Sequence, residues 1–446
     1  MSRSAIALLA LAACLVAAPA RAGDAFVTVS SGSFRLNGRP YHFVGANLWY
    51  AMNLGAAGPG GDRKRLRREL DRLKALGVDN LRVVGLSEGP DGSPWRMAPA
   101  AQKDPGVLDE DLVRGLDFAL AEMGKRGQKA VIVLNNFWPW SGGMAQYLAW
   151  DGRGPIPYPP PAAGGDWAVY QKFTAAFYAD PAATAASRRA IAALVGRRNT
   201  VTGRLYADDA AIMSWELANE PRGDAQAADF NDWIDATARF VKSLDPRHLV
   251  TTGCEGDTAR PVENGLDFAR NHSSSAVDYA TIHVWPQNWE WYDPARSTST
   301  YPAALANARA YLRSHFDRAR ALGKPLVVEE FGLARDGGTY DPAARTTARD
   351  GFFSALFEEA YRSAAAGGPV AGVAFWAWAG EGRAPRPGAA WQAGDPWIGD
   401  PPHEFQGWYS VYDKDAGTAA VIARWARAFT ALDRFRKSPG TLSVRP

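Results

Sequence analysis

What most constrains the fold of this chain is an alternation repeated eight times, in which a short and largely apolar run is followed by a helical pattern or a long loop. The runs fall at Phe43–Asn47, Asn80–Val84, Ala130–Asn135, Ile212–Leu217, Leu249–Gly253, Tyr279–His283, Leu326–Glu330 and Val370–Trp376. Apolar runs this short predict strands buried on both faces, as in parallel sheets. Helices are predicted near 62–76, 109–126, 167–195, 226–243, 303–322, 345–365 and 417–435. Eight such units predict an α/β fold, a single (β/α)8 TIM barrel whose reactive groups stand at strand C-termini. Ahead of it, Phe26–Val29 and Ser33–Leu36, then the Asn37-Gly38 turn and Tyr41–Val44, predict an N-terminal β-hairpin placed as a lid over the barrel floor.

Residues 1–22 have the form of a cleaved signal peptide: Arg3, an apolar stretch from Ala5 to Ala18, and the small-x-small site Ala20-Arg21-Ala22. An exported chain is expected, with 23–446 as one catalytic domain. A rival cut at Leu11-Ala12-Ala13-Cys14 resembles a lipobox and would anchor Cys14 to a membrane. Without Arg3 and Arg21, the 50 basic residues become 48 against 47 acidic ones. That balance gives no support for nucleic acid as a partner. No later stretch is long and apolar enough to span a membrane. Cys254 is the one cysteine left in the mature chain, so no internal disulfide is available.

Four Gly/Pro-rich segments, Leu86–Asp104, Trp138–Asp166, Val284–Pro302 and Gly380–Phe405, each follow a predicted strand. They are expected on the reactive face, as cleft walls. Their tryptophans, among them Trp138, Trp140, Trp150, Trp285, Trp289, Trp291, Trp391 and Trp397, suit the flat C–H faces of sugar rings. The alternative, that each packs its own loop, stays open.

Two carboxylate sites end predicted strands: Asn219-Glu220-Pro221, and Glu329-Glu330-Phe331-Gly332. A pair of strand-end carboxylates among tryptophans is what acid/base-assisted glycosidic cleavage needs. Strand alternation predicts that one of Glu329 and Glu330 faces the barrel mouth and its neighbour faces away. Arg82 is a charge inside a buried strand and requires a partner. It is expected either to hold a catalytic carboxylate ionised or to form a structural ion pair. His283, with no second His or Cys at ligand spacing, is expected to hydrogen-bond substrate or a catalytic glutamate rather than to bind zinc. Trp376, or its same-parity neighbour Trp378, could floor the sugar.

Together these residues resemble glycoside hydrolase family 5, most closely its β-mannanase branch. Asn219-Glu220-Pro221 is similar to the family's acid/base motif, and Glu330-Phe331-Gly332 to its nucleophile motif, which selects Glu330 over Glu329. Arg82, His283 and Trp376 fall at matching strand ends. The stretch Asn135-Asn136-Phe137-Trp138 with Gly142–Trp150 resembles one typical of mannanases, and Arg222 a substrate-contacting arginine. The resemblance implies an endo-acting, retaining β-1,4-mannanase with Glu220 as acid/base and Glu330 as nucleophile. It implies Arg82, Asn219 and His283 as catalytic support, and Trp49, Asn136, Trp138, Arg222, Trp285, Trp376 and Trp378 as substrate contacts. No metal or organic cofactor is implied. The partner is a β-mannan or manno-oligosaccharide, and a monomer is expected. One departure is Trp285, where many members carry tyrosine. Glu220 is expected protonated and Glu330 ionised in the working state. Alternatives of the same chemistry are a β-1,4-glucanase or an exo-acting β-mannosidase. A serine esterase using Gly85-Leu86-Ser87-Glu88-Gly89 is a remote one, because Pro90-Asp91-Gly92-Ser93-Pro94 follows where the nucleophile elbow requires a helix. A non-catalytic glycan-binding barrel would have no need of both glutamates.

Overall fold

The computed structural model describes residues 25–435, so the segment read as a signal peptide, with Cys14, lies outside the described residues. All eight expected strands are present: β1 (Phe43–Asn47), β2 (Asn80–Val84), β3 (Lys129–Val133), β4 (Ile212–Glu216), β5 (Leu249–Thr251), β6 (Ala280–Val284), β7 (Leu326–Phe331) and β8 (Val370–Phe375). They form one parallel sheet in the order β5, β4, β3, β2, β1, β8, β7, β6. Because β1 pairs with β8, the sheet curls into a (β/α)8 barrel with β5 and β6 at its seam. Every residue of these strands is buried, which explains why they read as apolar runs without alternation.

The N-terminal strands Val27–Ser30 and Ser33–Leu36, extended by Arg39–Pro40, form the expected antiparallel unit. Asn37 and Gly38 both have positive φ, 55° and 73°, as a type I′ turn requires. Val27 and Phe34 pack with Phe43, Met213, Leu249, Tyr279, Val327 and Ala371, at or near the starts of barrel strands. The hairpin therefore plugs the end of the barrel opposite the reactive face.

Helices depart from expectation in two places. The stretch 167–195 is two helices, Trp167–Ala175 and Pro181–Val195. Asp180 accepts from the backbone N–H groups of Ala182 and Ala183 and Pro181 opens the second helix, a start signal strong enough to split the pattern. The helix predicted near 303 begins at Ser297 and runs through Pro302. Short elements went unforeseen, including the helix Gly143–Trp150 and the paired strands Trp378–Gly380 and Val411–Tyr412.

The final helix, Ala416–Phe435, is anchored by a buried ion pair. Arg335, just past β7, donates through Nη2 to both oxygens of Asp415, at 2.8 and 2.7 Å. The same guanidinium lies 5.0 Å from the Tyr412 ring centre, and Arg349 approaches Asp415 to 3.6 Å. Removing Asp415 leaves two wholly buried arginines without their counter-charge. An Asp415→Ala variant is expected to lose about 3–5 kcal/mol of stability. Denaturant titration should show a lower midpoint with an unchanged slope.

Candidate active site

Buried charge, which needs partners, organises the C-terminal mouth of the barrel. Arg82 extends from β2 into the barrel and meets groups from three other strands. Its Nε donates to Glu216 Oε2 at 2.8 Å, and Nη2 donates to Asn219 Oδ1 at 2.8 Å and also to Glu216 Oε1. Nη1 donates to Asn47 Oδ1 at 3.1 Å and to Glu330 Oε1. Arg82 thus pairs with Glu216, as the structural expectation had it, and also bonds Glu330, whose carboxyl burial nevertheless raises. Glu216, inside β4, was not singled out from sequence. Its signal was an acid within a buried strand, the same signal that exposed Arg82.

Glu220 follows β4 with φ of +48°, a left-handed conformation that costs a non-glycine residue on the order of 1–3 kcal/mol. Three groups hold its carboxylate. His283 Nδ1 lies 2.6 Å from Oε1, Trp285 Nε1 donates to Oε1 at 3.1 Å, and Trp138 Nε1 donates to Oε2 at 2.6 Å. Trp285 therefore meets Glu220 rather than Glu330. Asn219 Nδ2 donates to Asn136 Oδ1 at 3.1 Å, and that oxygen also accepts from the Trp138 N–H, so Asn136 aligns the segment carrying Trp138.

Glu329 and Glu330 do not alternate. Between β6 and β7 the register passes from Ile282 opposite Val328 to His283 opposite Glu330, leaving Glu329 as the extra residue of a bulge. Both side chains consequently turn inward. Glu329 Oε2 stands 3.8 Å from Arg82 Nε and 3.6 Å from His283 Nε2. The expectation that one neighbour faces away from the mouth is corrected by this bulge.

Glu220, Glu330 and Trp376 are 8, 2 and 3% exposed. One donor atom from each of Glu220, His283 and Glu330 falls within 4.8 Å of the others. Burial pushes the Glu220 carboxyl up, but the His283 hydrogen bond and charge, with Arg222 and Trp138, outweigh it and bring it down to about 2. Burial raises Glu330 to about 7 against the pull of His283 and Arg82. The free site thus favours charge on Glu220, the reverse of the ionisation expected for the working state. The reason is geometric, since His283 Nδ1 is 2.6 Å from Glu220 but 3.4 Å from Glu330.

The remaining expected contacts divide. Trp376 lies beside the pair, its ring centre 6.0 Å from Trp285 and its Nε1 without a hydrogen-bond partner. Arg222 stacks 4.8 Å from the Trp138 ring and pairs with Glu255 through two hydrogen bonds, 2.7 and 3.0 Å. Two placements are corrected. Trp378 donates its N–H to Glu69 at 3.0 Å, in the helix Arg63–Ala75, so it packs behind the barrel wall and not under a sugar. Trp49 donates to the Gly399 carbonyl at 2.8 Å and packs on Trp140 and Trp397, one layer behind the site. Of the loop tryptophans, Trp391 and Trp397 are buried and bonded to loop carbonyls. Ser87 is buried and accepts from the Ala101 N–H in a loop, so it is no nucleophile elbow.

Sequence had not revealed how far the connection after β8 reaches. His403 packs between Trp95, from the connection after β2, and Trp167, from that after β3, with ring centres 6.1 and 5.5 Å away. Further along, Tyr409 packs 5.0 Å from Trp285 and donates to Asn288, both after β6. Between them Glu404 Oε2 is buried without a partner. Burial, with the charges of Asp400, Glu330 and Glu220, raises its carboxyl.

Two buried carboxylates at the ends of β4 and β7 of a (β/α)8 barrel, bridged by a histidine, are the equipment of a glycoside hydrolase. The chain belongs to glycoside hydrolase family 5: the model described as GH family 5 beta-mannosidase-like matches residues 24–434. It is 30% identical to mannan endo-1,4-beta-mannosidase 5 of Solanum lycopersicum, over 91% of this chain and 89% of that one. It is 38% identical to the family 5 mannosidase of Rhizomucor miehei, with a TM-score of 0.85 over 92% of this chain and 99% of that one. A variant of the Rhizomucor enzyme, 37% identical with TM-score 0.85 over 92% of this chain and 99% of that one, is in complex with mannosyl-fructose.

Lysine in place of Arg82 keeps the charge but not the planar fork. Arg82→Lys is expected to lower kcat by at least about 100-fold, as loss of a preorganised charge partner does. Steady-state kinetics beside a thermal melt would separate that loss from unfolding.

Proposed function

We propose that this chain is a retaining β-mannosidase acting from the non-reducing end of short β-1,4-manno-oligosaccharides or related mannosides. One observation carries the exo reading: the connection after β8 touches the connections after β2, β3 and β6, so the mouth is walled on several sides. An endo-acting enzyme needs a groove open at both ends. Glu404, with an unpartnered buried oxygen on that wall, is the group proposed to meet hydroxyls of a terminal sugar. The mannosyl-fructose in the Rhizomucor complex is a ligand of the small size this proposal requires. An exported enzyme fits the leader read in residues 1–22.

Support for retention is the close approach of the carboxylates, whose donor atoms lie within 4.8 Å. Retaining pairs stand about 5–5.5 Å apart, inverting pairs about 6.5–9.5 Å. In the proposed reaction Glu330 attacks the anomeric carbon while Glu220 gives its proton to the departing oxygen. Water then adds to that carbon, Glu220 takes the water's proton, and the Glu330 ester bond breaks. Trp376 supplies the floor and Arg82 the charge that meets Glu330.

Internal cleavage of mannan is the second reading, favoured by the tomato relative's name. Timed chromatography on mannopentaose decides between them. Mannose and mannotetraose are expected as the first products, with no release from carboxymethyl cellulose and none by Glu330→Ala. Mannobiose and mannotriose as first products would overturn the exo proposal while leaving the family and the catalytic pair in place.

A further inference from the structure

The mechanism proposed above uses Glu220 and Glu330 and leaves a third buried acid unexplained. Glu329 is turned into the barrel only because of the bulge in β7. Its Oε2 has no hydrogen-bond partner, and neither has His283 Nε2, 3.6 Å away. The other ring nitrogen, Nδ1, faces both catalytic carboxylates, Glu220 Oε1 at 2.6 Å and Glu330 Oε2 at 3.4 Å. An imidazole with acids on both edges has every reason to carry two protons. The other charged groups within electrostatic reach are Arg82 from β2, Glu216 from β4, and the Glu255–Arg222 pair beyond Glu220.

We propose that Glu329 is a positioning residue: from the Nε2 side it keeps His283 a cation, so that the Nδ1–H can bond whichever catalytic carboxylate carries the negative charge. The inference rests on the glycosyl-transfer reading. During glycosylation Glu330 forms its bond to the anomeric carbon and loses its charge, while Glu220 gives up its proton and gains one. The histidine neither gains nor loses a proton, and its hydrogen bond passes from Glu330 to Glu220. When water resolves the ester, Glu220 is protonated again, Glu330 leaves as a carboxylate, and the bond passes back. The free site, with His283 on Glu220, has the arrangement of the glycosyl-enzyme stage. Substrate entry has to move the shared proton to Glu220 and turn His283 toward Glu330. His283 bears on the burial-raised Glu330 and holds Glu220 down, in keeping with that exchange.

Two measurements test the proposal. The first is a pH titration by 15N NMR of the wild-type histidines, with His283 assigned by difference from His283→Gln. Its ring is expected to stay doubly protonated well above the ordinary imidazole range, and a neutral ring at pH 7 would overturn the proposal. The second is the pH profile of Glu329→Gln on the mannoside that the wild type cleaves. Removing a negative charge lowers the proton affinity of the cluster, so the alkaline limb of kcat/KM should move to lower pH by about one to three pH units. At the optimum kcat should fall roughly ten- to a hundredfold, a fraction of what acid–base catalysis supplies, with KM little changed. Glu329→Asp, which keeps the charge, should restore the limb. An unmoved limb in a folded Glu329→Gln protein would reject the idea. Should that variant fail to fold, the wild-type titration decides alone. Should the wild type cleave no mannoside, the function fails and the titration still judges the Glu329–His283 pair.

Discussion

A single buried guanidinium ties the barrel to its chemistry. Arg82 joins β2 to Asn47 at the end of β1, Glu216 in β4, Asn219 just beyond it, and Glu330 in β7. Burying so many charges is expensive unless every lone pair and proton finds a partner, and replacing one member leaves the others unsatisfied. The five donors of an arginine, spread in one plane, here reach five acceptor oxygens on four residues in different directions. That geometry fixes how β4 and β7 stand relative to each other. The distance between Glu220 and Glu330 follows from it.

The wall over the mouth depends on the same frame in a looser way. Loops are positioned by the strands that launch them, and here four strand-to-helix connections meet through aromatic rings. Trp138 shows how the two levels join. Its N–H holds Glu220, one face carries the Arg222 guanidinium, and its edge packs 5.6 Å from Trp167, which in turn packs on His403. The Glu220 carboxylate is thereby coupled to the loop after β8. A displacement of that loop would be felt at Glu220.

The barrel was legible because each strand is buried on both faces, so apolar runs and turn chemistry marked all eight within a residue or two. Asn37-Gly38 marked the hairpin for the same local reason. Glu220, Glu330, Arg82 and His283 were legible as polar groups at or within buried strands, where polarity is costly without a purpose. Two of the tryptophans were not. Trp378 has the residue type and strand parity of a sugar platform, and Trp49 the residue type, yet their N–H groups are committed to Glu69 and to the Gly399 carbonyl. Which way a ring faces depends on long-range partners more than 300 positions away, which no local pattern encodes. The loop holding Glu404 was expected as a cleft wall, but its contacts with Trp95 and Trp167 were unreadable for the same reason.

The bulge at Glu329 is the instructive failure. Alternation is a rule of regular strands, and it assigned one glutamate to the mouth and one away. A one-residue register shift brought both inside, so that four acids, Glu216, Glu220, Glu329 and Glu330, face two bases, Arg82 and His283. Fully ionised, the cluster would carry a net negative charge within a buried volume, which the low dielectric there opposes. It therefore retains protons that isolated carboxyls would lose at neutral pH. Burial keeps Glu216 up at about 8 and Glu330 at about 7, even against the adjacent guanidinium. The proposed double displacement needs a proton held near two carboxylates and ready to change owner. A surplus of buried acid, created by one extra residue in one strand, is a direct physical means of holding it there.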